Sequence, residues 1–204
     1  MRDLRTWGSV GVLLLLAAFG PAGGQEKKTT KSIDYYPIEP GNAWDFRVSA
    51  NGKNVVISTK IEKVEKIDGQ SLSLLTCSTA PITEHLTKTA DGIFRARLND
   101  AIVSPPFCLL KAPMKVGTKW GNEFTAGTDP GRHRYTAEIQ AEETVEVPAG
   151  KFKTLRVYFD LQDANGQQVK TTYWFAPNVG FVRQQMELPN ATILLEMQKF
   201  ERAK

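Results

Sequence analysis

The chain has 204 residues, 41% of them hydrophobic and 24% charged, which is the make-up of one ordinary globular domain and excludes collagen-like, disordered and multi-span membrane classes. A net charge of +4, mixed in sign along the sequence, gives no electrostatic case for a nucleic-acid partner.

At the N-terminus, Arg2 and Arg5 precede an apolar run, Val10 to Phe19, that is too short to span a bilayer. The small residues Ala22-Gly23-Gly24 follow, so residues 1–24 read as a signal peptide. Residues 25–33, with Lys27, Lys28 and Lys31, read as a solvated polar leader, and 34–204 as a single β domain. The expected location is secreted or periplasmic, with no integral membrane span after cleavage. No cysteine follows the apolar run, so a lipobox anchor is not expected.

From residue 34 the signals are those of strands: short runs rich in Val, Ile, Thr and aromatics, alternating with polar residues and separated by turn dipeptides. Pro40-Gly41-Asn42 is a turn, and Trp44 opens a strand with Phe46 and Val48 on the same face. Asn51-Gly52, Asp68-Gly69, Asp91-Gly92 and Asn165-Gly166 each suit a type I′ hairpin, which needs positive φ at both central residues. Val55, Ile57, Thr59 and Ile61 share a face, and the parity changes at Val64, the mark of a bulge.

Residues 101–113 contain Ser104-Pro105-Pro106 and Ala112-Pro113. Proline lacks the ladder donor, so this segment reads as a crossover between two halves. Beyond it, Gly117 to Phe124 opens a strand, Thr128-Asp129-Pro130-Gly131 turns, and Tyr135 to Val147 alternates apolar with polar. Pro148-Ala149-Gly150 leads into Phe152 to Leu161, Lys170 to Arg183 reads as an aromatic hairpin, and Ala191 to Phe200 is the last strand.

The halves, about 34–100 and 114–200, look alike. Gly41-x-x-Trp44 and Gly117-x-x-Trp120 both open strands, and Gly92-Ile93-Phe94-Arg95 is matched in order by Gly180-Phe181-Val182-Arg183. The expectation is therefore an all-β fold: a strongly curved antiparallel sheet or incomplete barrel of about ten strands, built from two duplicated β-meander units. A closed, lipocalin-sized barrel is the near alternative.

The motif G-x-x-W, the V-P-A-G-x-F of Val147 to Phe152 and the Y-W-F-A-P-x-V-G-x-V of Tyr173 to Val182 resemble those of a loose group of uncharacterised bacterial exported β-rich envelope proteins, a domain-of-unknown-function group that includes lipoproteins. Their architecture is similar to that of the lipoprotein-localisation carriers, which hold acyl chains in a half-barrel. The resemblance implies an envelope β protein and no particular activity.

Cys77 and Cys108 both lie in the exported part, where a disulfide between them is expected. Trp44, Phe46, Trp120, Phe124, Tyr173 and Phe175 are the candidate lining of an apolar cavity, against the plainer reading that they are core. Tyr173 and Phe175 share a strand face and Trp174 takes the other. His85 and His133 sit in polar surroundings, with no nucleophile elbow, zinc-ligand set, phosphate loop or dinucleotide fingerprint in the chain. No catalytic residue, metal or cofactor is assigned. The expected function is that of a non-enzymatic exported protein that binds a lipid or other apolar ligand, or an envelope partner. The alternatives are a structural or interaction module without a small ligand and, behind that, a hydrolase with an unrecognised site.

Overall fold

The computed structural model describes residues 33–127 and 131–203; the expected signal peptide, the leader up to residue 32 and positions 128–130 of the expected turn lie outside the described residues. Twelve strands form among the described residues. The first six are β1 (Ala43–Ala50), β2 (Lys53–Ile67), β3 (Gln70–Cys77), β4 (Thr83–Thr89), β5 (Gly92–Leu98) and β6 (Ala101–Lys111). The second six are β7 (Lys119–Ala126), β8 (His133–Val147), β9 (Gly150–Gln162), β10 (Gln168–Ala176), β11 (Gly180–Leu188) and β12 (Ala191–Glu201). Each strand pairs antiparallel with its neighbours in sequence, and β12 returns to β1, so the sheet closes into a barrel.

This corrects the expectation of about ten strands in an open or incomplete sheet, and the reason lies in residues 101–113. The expected crossover is strand β6, despite its prolines. Arg97 of β5 faces Ile102 and Arg95 faces Phe107, so residues 103–106 loop out opposite Ala96 alone. Pro105 and Pro106 thus fall in a bulge where no ladder donor is required. With β6 in place the meander runs without a break and can close on itself, which removes both edges.

The two halves repeat one device. Gly41 and Gly117 adopt φ of +95° and +89°, and each donates its N–H to an isoleucine carbonyl in the following long strand, Ile61 or Ile139, at 2.8 Å. The same isoleucines donate back, to Asn42 and Thr118, at 2.9 Å. Immediately beyond each, the register slips, between Ile61 and Lys63 and between Ile139 and Ala141. The long strands therefore bend at matching points, with both isoleucines fully buried. Three of the six strand pairs also match in length: β1 and β7 have 8 residues each, β2 and β8 have 15, and β6 and β12 have 11, whereas β9, β10 and β11 are longer than β3, β4 and β5.

Two of the four turn dipeptides are type I′, with positive φ at Asn51 and Gly52 and at Asp68 and Gly69. The other two are not. Gly166 has positive φ without Asn165, and the loop is held by the Asp163 carboxylate, which accepts from Asn165 and Gln167 N–H. Gly92 is needed for room: a Cβ there would stand 2.2 Å from the Leu110 carbonyl oxygen.

Cys77 and Cys108 are free thiols, so the expected disulfide is absent. They lie on β3 and β6, with β4 and β5 between. Three strand spacings amount to roughly 14 Å along the wall, well beyond the ~7 Å at which a bridge can close.

A wide barrel needs large side chains to fill it. Here Phe46, Phe107, Phe159, Tyr173, Phe175 and Phe181 supply much of that volume, meeting edge-on or stacked, with Phe46 and Phe181 only 4.7 Å apart. Outside, charged side chains pair across strands, as in Arg47–Glu196 and Arg183–Glu196 at 2.6 and 2.7 Å. An apolar interior and a charged exterior are the inverse of a membrane-spanning barrel. Among the described residues no helix is long and apolar enough to cross a membrane.

One end of the barrel is floored. The segment leading into β1 brings Tyr36 inside, where its ring packs edge-on against Trp44, Phe175 and Phe181 at 5.8–6.1 Å. Buried Asn42 fastens the segment: its amide N–H donates to the Pro37 carbonyl, and its oxygen accepts from Ala203 N–H at 2.8 Å.

Candidate functional site

The alternation that closes the barrel also aims every second side chain of β1–β6 and β10–β12 at one interior space. A cavity of about 340 Å³ lies there, above the Tyr36 floor. Its walls are largely apolar, with Ile57, Leu75, Leu109, Met186 and Leu195 among them. Its mouth, at the end away from the floor, is edged by Ile82 and Leu98, which are 43% and 38% exposed. Exposed Val55, Val56 and Ile102 occupy the same end of the first half.

Three of the expected lining residues, Phe46, Tyr173 and Phe175, do face this cavity. The structure does not bring the other three to it. Trp44 packs beside the floor, stacked on Phe200 at 5.4 Å, with its indole N–H donating to the Val179 carbonyl at 2.7 Å. Trp120 and Phe124 belong to a second aromatic group with Phe107, Tyr135 and Phe159 in the filled part of the barrel.

Composition and motif gave no hint of the polar group set into the apolar wall. Glu84 of β4 and Arg95 of β5 form a two-pronged pair, Nε to Oε2 and Nη2 to Oε1, both at 2.9 Å. Their side chains are only 18% and 20% exposed. Burial opposes the Arg95 charge, but the Glu84 carboxylate more than offsets it and holds the guanidinium above its ordinary range. Its carbon also sits 5.8 Å from the Phe107 ring centroid. Beside that pair, the Gln184 amide of β11 donates to the hydroxyl of Tyr173, its ladder partner on β10, at 2.9 Å, and Arg95 also hydrogen-bonds that hydroxyl. Burial raises the pKa of both Tyr36 and Tyr173, so both are neutral phenols. One signal could have found the pair: Arg95 shares inward parity with Ile93, and Glu84 with Leu86, and a charge on a core-facing position asks for a partner.

The remaining chemistry is spare. His85 pairs with Glu65 on the outer face at 2.9 Å, and His133 stacks on Phe124 at 4.9 Å. Among the described residues no group of three metal-ligating side chains stands together. Cys77 borders the cavity, whereas the buried Cys108 thiol is pushed up to about 11 by desolvation. Hollows of about 500 and 600 Å³ on the outer face are shallow and walled by Lys119, Glu138 and Asp160 or by Gln70, Thr87 and Asn122.

No family model matches the sequence, and no curated protein matches it. Among solved structures, the chain is similar to an exported protein of YmcC-like fold from Bacteroides fragilis, with 13% identity and a TM-score of 0.51 over 84% of this chain and 100% of that one. It also overlaps a protein described as a lipoprotein from Parabacteroides distasonis, at 13% identity and a TM-score of 0.47 over 83% of this chain and 99% of that one. The hypothetical lipoprotein YmcC of Escherichia coli overlaps it at 11% identity and a TM-score of 0.44, over 79% of this chain and 85% of that one. At such identities the first likeness is one of fold alone.

Proposed function

We propose that this is a non-enzymatic protein of the bacterial envelope that holds a small apolar ligand inside its barrel. One observation carries the reading: a mostly apolar cavity of about 340 Å³, floored at one end and bordered by exposed apolar residues at the other. Its size is at the low end for ligand pockets, so the ligand is small. The envelope location is supported by the signal-peptide pattern and by the exported description of the Bacteroides fragilis protein. The matching glycine knots and bulges support descent of the two six-strand halves from one unit.

The test is direct binding. Naphthalene, an apolar probe that fits the volume, should saturate one site by its own fluorescence, and Leu195→Trp, which fills the lumen, should abolish that binding. Absence of saturable binding in the folded wild type would overturn the proposal. A second reading, an interaction module docking through exposed Val55, Val56, Ile82 and Ile102, is favoured by that apolar rim. It would gain if Leu195→Trp left all partner binding intact while Ile82→Asn with Ile102→Asn removed it.

A further inference from the structure

Resting on that lumen-binding reading, we infer that the ligand is an amphiphile whose head is uncharged and both donates and accepts hydrogen bonds, such as an alcohol or a primary amide on a short hydrocarbon body. Three observations lead there.

The first is the charge sum. Among the described residues that line the cavity, only Glu84 and Arg95 are charged at neutral pH, and each is already paired with the other. An anionic head would approach Arg95 against Glu84, and a cationic head would approach Glu84 against Arg95. Either would bring an uncompensated charge into a space with few water partners.

The second is a set of unused neutral groups. The hydroxyl of Tyr36, the hydroxyl proton of Tyr173 and the carbonyl oxygen of Gln184 take no partner among the described residues, although these residues are only 5%, 9% and 8% exposed. All three line the cavity. These atoms open onto the cavity rather than being sealed in the wall, so whatever fills that space, water or ligand, completes them. Two phenols and an amide suit a neutral head better than an ion.

The third is size. Taking the ~30 Å³ that a molecule occupies in liquid water, the cavity has room for about a dozen non-hydrogen atoms, which is one short chain and a head.

The experiment is displacement of naphthalene from the full chain at pH 7.5 by a ten-carbon series: decanol, decanamide, decanoate and decyltrimethylammonium. Decanol and decanamide should displace it at concentrations about tenfold or more below either ion, as expected when an ion has no countercharge to meet. An ion that competes as well as decanol would overturn the inference. Glu84→Gln leaves the lumen with one uncompensated positive charge, and it should swing the preference toward decanoate; an unchanged ratio would also overturn it. Tyr173→Phe combined with Gln184→Leu should weaken decanol by a larger factor than naphthalene, and equal loss of both would count against a head-reading role. The two levels of the argument fail differently. If naphthalene itself does not bind the folded protein, the lumen-binding reading falls. If it binds but the four heads are not distinguished, that reading stands and this inference falls.

Discussion

The halves β1–β6 and β7–β12 share a frame and differ in what they put inside it. The glycine knots and the bulges that follow them match, and so does a detail on the outer wall. Four residues past each knotted isoleucine comes a glutamate that reaches a ring nitrogen two strands away: Glu65 meets His85 Nε2 at 2.9 Å, and Glu143 accepts from Trp174 Nε1 at 2.6 Å. Both ring residues sit at the register shift of their hairpins, before Leu86 and before Phe175. Inside, the equivalence breaks. Where the second half places Phe175 and Phe181 around its bulge, the first places Leu86 and Arg95. At that point the first half carries an aliphatic chain and a charge and the second carries two rings, and Arg95, Phe175 and Phe181 all line the same cavity. The seams differ too. β12 and β1 share eight paired positions, whereas β6 and β7 share two, and there the Trp120 indole N–H bonds the Cys108 carbonyl at 3.0 Å in place of a ladder. The lesson is that a barrel frame tolerates unequal contents.

The largest test of this contrast is truncation of the two tryptophans. Trp44, 2% exposed, should cost about 3–5 kcal/mol on change to alanine, in the range for buried aromatic truncation. Half-buried Trp120 should cost less. Urea unfolding of both variants decides it, and equal losses would mean that the β6–β7 seam is as tightly held as the β12–β1 seam. Next come the knots. Gly41→Ala and Gly117→Ala each force a side chain into positive φ, a strain of about 1–3 kcal/mol. Gly41→Ala should be the worse, because its Cβ would stand 3.1 Å from that of Ala203, while nothing lies within 4 Å at Gly117. Equal midpoints would break that difference.

Two smaller effects sharpen it. Iodoacetamide should modify Cys77 well before Cys108, whose thiolate forms only near pH 11, and modification should reduce naphthalene binding because Cys77 borders the cavity. Mass mapping showing Cys108 modified first would contradict the burial assigned to it. Finally, Glu196 is partly desolvated, yet hydrogen bonds from Arg47 and Arg183 more than offset this and hold its carboxyl below the ordinary range. A depressed carboxylate stabilises above its unfolded value, near 4.3, and that stability is lost as pH falls through the folded one. Glu196→Gln should therefore unfold more easily than wild type at pH 6, and the gap should close toward pH 3. A gap that stays constant would remove Glu196 from the pH response.

Strand positions were legible because a half-buried strand writes its period into the sequence, and Tyr135 to Val147 does so almost without fault. The paired G-x-x-W motifs were legible because positive φ and a strand-opening tryptophan both leave residue-level marks. β6 was not, because Pro105 and Pro106 argue locally against a strand and only the partner's register reveals that they fall in its bulge. The disulfide expectation failed for a related reason: cysteine count says nothing about how many strands stand between two thiols. Of the candidate aromatics, sequence could mark inward-facing rings but could not separate those that line a space from those that fill one. Glu84 and Arg95 pointed inward by parity, yet their mutual contact depends on a register shift between His85 and Leu86 that no local pattern announces.

Asn42 has one more consequence. By joining the segment before β1 to Ala203, it brings both ends of the described chain to the floored end of the barrel. A tether attached at either end would hold the molecule by its base and present the opening outward. For immobilisation on a sensor surface or fusion to another domain, the choice of terminus should therefore leave access to the lumen unchanged.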